Sequence, residues 1–344
     1  MSKRRPRGIG LLSGGLDSAL ASLVVRDAGA DVTCLHFFTG FCVTGHNSRV
    51  GRKDRPIANH ALTVAAEMGI PVDLVDIAED YLPVVLKPKF GYGKHMNPCV
   101  DCRIFMLARA REHMEKVGAD FVFTGEVIGQ RPKSQMKSTL LAIEKEVDLA
   151  GRLLRPLSAR LLPVTRVEEA GLVDRSKLHD IYGRGRKRQL ALARHYGLGS
   201  FMQPAGGCCF LTDKAYSEKL KDIIEHDGSG SLRTEDIFVL GVGRHFRLSP
   251  LTKVVVGRDE IENNFLGHYK RDHWSACVNG FAGPTAIVMG ELHEGDLRTV
   301  AAVVARYSDG RDEPVVEVNF ALGEKKRTVM TSPAADDVVE RHRV

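Results

Sequence analysis

The segment Ser13-Gly14-Gly15-Leu16-Asp17-Ser18 constrains this chain more than any other. It joins a short apolar run, Gly8 to Leu12, to a segment in which Leu20, Leu23 and Val24 form one apolar stripe at helical spacing before Gly29 ends it. Two adjacent glycines let backbone N–H groups turn toward an anion without interference from a Cβ, and the helix that follows adds unpaired donors and a positive dipole end. Asp17 and Ser18 fall on the first helical turn, where a carboxylate caps the helix or holds Mg²⁺ and a hydroxyl donates to a phosphate oxygen. Two other phosphate loops are excluded. No lysine follows the glycine pair, as a Walker A loop requires, and Gly8-Ile9-Gly10-Leu11-Leu12-Ser13 ends in serine where a dinucleotide fingerprint needs glycine.

The rest of the N-terminal two thirds continues the alternation. Val32 to Phe38 reads as a second strand, Ile57 to Met68 as a helix and Pro71 to Asp76 as a third strand. Cys102 to Val117 reads as a helix stopped by Gly118, Asp120 to Thr124 as a fourth strand and Leu153 to Leu157 as a fifth. Such alternation calls for an α/β fold, a doubly wound, mostly parallel five-stranded sheet with ligand at the carboxyl ends of its strands. Thr124-Gly125-Glu126-Val127-Ile128-Gly129-Gln130 then places glycines directly after strand four, where the chain must approach a nucleotide.

The SGGxDS pattern closely resembles that of the PP-loop ATP pyrophosphatases. The resemblance implies an adenine nucleotide alpha hydrolase-like fold and cleavage of ATP between its α- and β-phosphates, with transfer of AMP to a substrate. On that basis Ser13, Gly14, Gly15, Asp17 and Ser18 are the expected phosphate and Mg²⁺ residues, Gly125 and Gln130 lie beside the nucleotide, and His36 and Phe37 are adenine neighbours or simply a buried strand end. The stretch from Thr124 through Gln135 resembles the corresponding loop of PP-loop 4-thiouridine synthetases, and Leu154-Arg155-Pro156-Leu157 resembles the end of that family's last strand.

Beyond Ala205 the character changes. Tyr216, Leu220, Ile223 and Ile224 stripe one more helix, and His226-Asp227-Gly228-Ser229-Gly230-Ser231 reads as a linker. The expected organisation is therefore a catalytic domain over 1–225, a linker over 226–234 and an α+β domain over 235–344. In the last of these, Lys253 to Gly257, Thr285 to Met289, Val300 to Arg306 and Val315 to Phe320 are β-branched runs read as strands, and Asp259 with Glu262 reads as a capping box. Gly243-Arg244-His245-Phe246-Arg247 and Val256 to Asn263 resemble the RNA-binding domain of NFACT ribosome quality-control proteins.

Cysteine placement sharpens the chemistry. Asn97-Pro98-Cys99-Val100-Asp101-Cys102 carries a Cys-x-x-Cys at a helix start, where the dipole lowers thiol pKa, and Gly206-Gly207-Cys208-Cys209-Phe210 offers a further thiolate. The residues alone allow a persulfide pair, buried thiols, or a zinc site completed by Cys208 or His95, although adjacent Cys208 and Cys209 fit poorly around one tetrahedral ion. In PP-loop 2-thiouridine synthetases a very similar pair of segments recurs, and many members hold a [4Fe–4S] cluster on three cysteines. That resemblance implies Cys99, Cys102 and either Cys208 or Cys209 as cluster ligands and sulfur-site residues, with one iron open to hydrosulfide. Cys34 and Cys277 read as ordinary burial, and Cys42 carries no assigned role.

Together these features point to an ATP-dependent sulfurtransferase that adenylates a tRNA uridine carbonyl and replaces its oxygen with sulfur. A PP-loop enzyme for a small molecule and a non-catalytic RNA-binding adaptor are the alternatives. The implied partners are tRNA and a sulfide or persulfide donor, with no membrane and with room for a homodimer. Arg184-Gly185-Arg186-Lys187-Arg188 and Arg131 to Lys137 suit a phosphate backbone or a solvated face. No apolar stretch approaches a membrane span, and Lys3-Arg4-Arg5-Pro6-Arg7 leads into a strand rather than a signal core, so the expected location is cytoplasmic.

Overall fold

The computed structural model describes residues 4–43, 50, 59–201, 209–227 and 232–344. Cys208 and its glycines, Ile57 and residues 228–231 of the linker fall outside the described residues. The chain divides into two compact units: residues 4–43 and 59–201 make the first, and residues 209–344 the second.

The first unit is built on a five-stranded parallel sheet, β1 (Arg7–Leu11), β2 (Asp31–Phe38), β3 (Val72–Asp76), β4 (Phe121–Thr124) and β5 (Leu153–Leu154), in the order β3-β2-β1-β4-β5. Strand order reverses about β1, which makes the gap between the carboxyl ends of β1 and β4 the switch point where such sheets bind ligands. Leu11 stands level with Leu35 on one side and Thr124 on the other, so the segments after β1 and β4 leave the sheet side by side. The fifth strand is shorter than expected, because Arg155 leaves the ladder to serve a buried ion-pair network.

Helices cover both faces. α1 (Leu16–Asp27) and α2 (His60–Met68) lie on one, and α4 (Cys99–Val117) and α5 (Lys137–Glu146) on the other, with α3 (Ala78–Leu86) packed against α4. Burial alternates along the central strands to match. Phe121 and Phe123 join the α1 core while Ile9, Leu11 and Val122 join the α4 core. Gly10 leaves the room that the Phe123 ring occupies, since a Cβ there would stand 2.3 Å from the ring. Further on, α6 (Lys187–His195) packs against α1.

The second unit holds α7 (Lys214–Asp227), α8 (Thr234–Leu240), β6 (Arg244–Arg247), β7 (Thr252–Val256), α9 (Glu260–Gly267), β8 (Trp274–Val278), β9 (Ala286–Gly290), α10 (Glu294–Arg306), β10 (Val316–Leu322), β11 (Lys325–Thr331) and α11 (Asp336–His342). Its antiparallel sheet runs β11-β10-β8-β9-β7-β6. Val300 to Arg306, expected as a strand, belongs to α10. Leu297, Val300, Ala301 and Val304 recur at helical spacing and are all buried in the sheet's core, so the period outweighs the β-branched composition. The cap at Asp259 is half of the expected box: Asp259 accepts from Glu262 N at 2.9 Å, while the Glu262 carboxylate turns to Gly243 N and the Arg258 guanidinium.

Helix α7, which precedes the expected linker, packs with this second unit. Its Asp222 accepts from Lys253 Nζ at 2.6 Å and from Arg247, and its Tyr216 hydroxyl donates to Ile237 O at 3.0 Å. The buried Lys253 on β7 requires that carboxylate, which is the physical reason the helix stays with the sheet.

Candidate active site

The turn after β1 is shaped by its own side chains. Gly14 has φ +79°, and a Cβ there would stand 2.8 Å from Ala61 N at the start of α2. The buried Ser18 hydroxyl donates to Gly15 O at 2.9 Å and accepts from Ser13 N at 3.2 Å, so its proton shapes the loop. Gly15 is the N-cap of α1 and no side chain caps that helix, which leaves its first N–H groups available to an anion.

Asp17 faces the loop after β4. Gln130 Nε2 donates to Asp17 Oδ2 at 2.9 Å, whereas the buried Asp17 Oδ1 has no hydrogen-bond partner among the described residues. Burial pushes the Asp17 carboxyl above the usual range, against the opposing pull of Gln130, Arg186, Gln189 and Arg131. A carboxylate oxygen buried with no donor is suited to a cation, so Asp17 is the residue that would hold Mg²⁺. Gly125 touches the same turn: a Cβ there would stand 2.5 Å from Asp17 C and O and from Ser18 N. Gly125 and Gln130 thus meet the glycine turn directly.

His36, at the end of β2, donates from Nδ1 to Leu12 O at 2.9 Å, which fixes the tautomer and leaves Nε2 as an acceptor. Burial lowers its pKa and keeps the ring neutral. Phe37 points to the opposite face and packs with Ile9, Leu35 and Leu107 in the core beneath the sheet.

The cysteine pair stands on α4, which begins at Cys99 rather than Cys102, so both thiols lie one helical turn apart. A helix that returns antiparallel to its sheet starts at the strands' carboxyl ends, the rim that carries the glycine turn. A direct contact confirms the placement of this first turn. Arg103 Nε lies 3.0 Å from Glu126 Oε1, and Glu126 follows Gly125. Glu126 is buried. Desolvation raises its pKa, but Arg103, Arg155 and Thr124 outweigh that and hold the carboxyl below the usual range. The fully buried Arg155 donates to Glu126, to Glu144 and to Leu140 O. Neither Glu126 nor the role of Arg155 was legible in the sequence, where one is a polar loop residue and the other a basic residue between leucine and proline.

The expected set of Cys99, Cys102 and either Cys208 or Cys209 lies in part outside the described residues. Among the described residues no group of three or more His, Cys, Asp and Glu side chains is placed to hold a metal ion. Cys208 lies outside the described residues, and Cys209 opens a 3₁₀ turn of the second unit, where its carbonyl accepts from the Thr212 hydroxyl at 2.9 Å. A cavity of about 190 Å³ behind β5, lined in part by Glu144, Arg155, Pro163 and Glu168, includes none of Ser13–Ser18, Cys99 or Cys102.

A parallel sheet in the order β3-β2-β1-β4-β5 with an SGGLDS turn at its switch point has the architecture of a PP-loop nucleotide-binding fold. Residues 8–150 match the family described as tRNA methyl transferase HUP domain, and residues 243–343 match the NFACT protein RNA binding domain. Among curated relatives, the tRNA-specific 2-thiouridylase MnmA of Syntrophotalea carbinolica is 31% identical over 121 residues, which are 33% of this chain and 32% of that protein. The MnmA of Amoebophilus asiaticus is 24% identical over 257 residues, 69% of this chain and 63% of that one. The chain thus spans about a third of the first relative's length and under two thirds of the second's. A crystal structure of a 4-thiouridine synthetase–RNA complex with bound ATP covers 56% of this chain and 52% of its own, at 19% identity and a TM-score of 0.31. No helix among the described residues is long and apolar enough to cross a membrane.

The NFACT-like motif residues are mostly structural. Phe246 is core, His245 is buried, Arg247 serves Asp222, and Arg258 is held by Glu262. Exposed basic residues cluster elsewhere. Lys270 and Arg271 precede β8, and Lys325 and Lys326 open β11. Pairing of Ser275 with Ala321 and of Leu322 with Lys325 brings both pairs to one end of the sheet.

Proposed function

We propose that this protein is an ATP-dependent tRNA uridine sulfurtransferase. One observation carries the reading: the uncapped glycine turn with Asp17 and the Cys99/Cys102 turn share one rim of the sheet, linked through Gly125, Glu126 and Arg103. The uridine carbonyl oxygen attacks the α-phosphate and pyrophosphate leaves, so that an unreactive carbonyl gains AMP as leaving group. The N–H groups of the glycine turn stabilise charge on the departing pyrophosphate, and Asp17 would hold a Mg²⁺ ion, whose bound chemistry would be to neutralise phosphate charge.

Two thiols one turn apart support a persulfide route. A persulfide on one cysteine attacks the activated carbon with its outer sulfur and AMP leaves. The second thiolate then attacks the inner sulfur, freeing the thiocarbonyl and leaving a Cys99–Cys102 disulfide that a thiol reductant reopens. The second unit, with Lys270, Arg271, Lys325 and Lys326, grips the RNA backbone. This assigns nucleotide and sulfur chemistry to the first unit and RNA binding to the second, whose scaffold includes α7.

The test is ³⁵S transfer to tRNA with iron analysis after anaerobic purification. Cys99→Ala abolishes thiouridine formation and spares MgATP binding. Without reductant, the persulfide-charged protein makes at most one thiouridine per chain. Full activity of Cys99→Ala, or pyrophosphate release triggered by a small acid with no affinity for tRNA, would falsify the reading.

A further inference from the structure

The basic run Arg184 to Arg188 is not a uniform surface stripe. Arg184, Lys187 and Arg188 are exposed, and Arg188 pairs with Asp180 at 2.6 Å, whereas Arg186 is half-buried. The chain leading into it lies along the β4 loop. Ile128 and Tyr182 form a parallel bridge, Gly183 N donates to Ile128 O at 2.8 Å, and Ser158 Oγ accepts from Ile128 N while donating to Ile181 O. The Tyr182 ring closes on Gly129, where a Cβ would stand 3.0 Å from it.

Arg186 is the N-cap of α6, and no side chain caps that helix. On its first turn Gln189 is fully buried, and neither its amide oxygen nor its amide nitrogen has a hydrogen-bond partner of ordinary geometry among the described residues. Burial raises the Asp17 carboxyl most, and Arg186, Gln189 and Arg131 each pull it back toward the charged form. Asp17 Oδ1 is itself buried and unpartnered. Buried polar atoms are almost always satisfied, and several orphans around one carboxylate mark a place where a ligand completes the hydrogen bonding. Arg186 and Arg131 both favour the charged form of that one carboxyl, and an anion bound beside it would balance the second guanidinium. Guanidinium is the group best matched to phosphate oxygens.

We propose that Arg186 and Gln189, at the uncapped start of α6, form a second phosphate-binding element of the triphosphate site. Arg186 pairs with the β- and γ-phosphates and neutralises the departing pyrophosphate, and Gln189 positions Asp17 and donates to a phosphate oxygen. The proposal rests on the nucleotide part of the reading above and needs neither the RNA nor the sulfur step.

Titration calorimetry of the full chain with MgATP, magnesium pyrophosphate and AMP tests it, beside tRNA filter binding. Arg186→Ala weakens MgATP and pyrophosphate at least tenfold and leaves AMP and tRNA within twofold. Arg186→Lys recovers part of the loss, Gln189→Met weakens pyrophosphate severalfold, and Arg184→Ala changes nothing. Unchanged MgATP affinity in Arg186→Ala, or a loss confined to tRNA, overturns the proposal and returns the arginine to an RNA face. A loss of AMP affinity as large as that of MgATP, in the lysine variant too, also overturns it. If the variants show these phosphate losses while the parent chain makes no thiouridine, the site stands and the sulfurtransferase reading falls.

Discussion

Gly125 has no room for a side chain, because the backbone of Asp17 and Ser18 occupies the place of its Cβ at 2.5 Å. Backbone cannot swing aside as a flexible side chain can. Gly125→Ala must separate the β4 loop from the first turn of α1, and a displacement near 1 Å at a reacting site costs on the order of a hundredfold in rate. The expected outcome is that loss in pyrophosphate release with the far-ultraviolet circular dichroism unchanged; a rate within threefold of the parent would show that the two segments are not pressed together. The glycine itself is visible in the sequence after strand four, but what it touches is not. Similarly, Ser18 reads as a phosphate donor, yet its hydroxyl is bonded to Gly15 O, and only coordinates reveal that the proton is used within the loop. Cys34 and Cys277 look alike in the sequence. Burial pushes the first up to about 11, while the second is exposed.

At the scale of elements, α7 holds the clearest titration. Burial, with Arg258 and Lys253 nearby, depresses the Lys219 ammonium to about 8 from its ordinary 10.5. Between those values the unfolded chain binds the proton more firmly than the folded one, so stability rises with pH across the window from about 8 to 10.5, and the full cost is present below it. Lys219→Met removes the buried charge at the expense of weak bonds to Leu240 O and Gly243 O. It should stabilise the protein at pH 7 by about 1–3 kcal/mol. Urea midpoints at pH 7, 8.5 and 10 check this, and an advantage that fails to shrink as pH rises counts against a depressed lysine. The stripe of Tyr216, Leu220 and Ile223 made α7 legible as a helix, but not its allegiance. That was decided by Asp222, which a buried lysine and arginine of the second sheet require. The error at Val300 to Arg306 has the same origin: β-branched composition is a weak preference, and packing against a sheet selects the helical period.

For the whole molecule, a net charge of +6 is modest, and the proposed grip on tRNA depends on where the charge is placed. If Lys270, Arg271, Lys325 and Lys326 neutralise about four phosphates, raising potassium chloride from 50 to 200 mM should weaken tRNA binding by roughly a hundredfold. Reversing two of those charges should flatten the slope, and a salt-independent affinity would refute an electrostatic grip. The sequence by itself determined the parallel sheet, the anion turn at its switch point and the cysteine pair at a helix start. Each of these is a local pattern of glycine, apolar period and helix-end chemistry that the chain carries within a dozen residues. Tertiary structure alone decided that Glu126 joins the cysteine helix to the loop after β4, that Arg155 is buried, and that Arg186 and Gln189 act on the Asp17 carboxyl. Those pairings span 23 to 172 positions, between 103 and 126 at the near end and 17 and 189 at the far end. Only the folded sheet, with its crossovers, brings such distant charges within reach of one another.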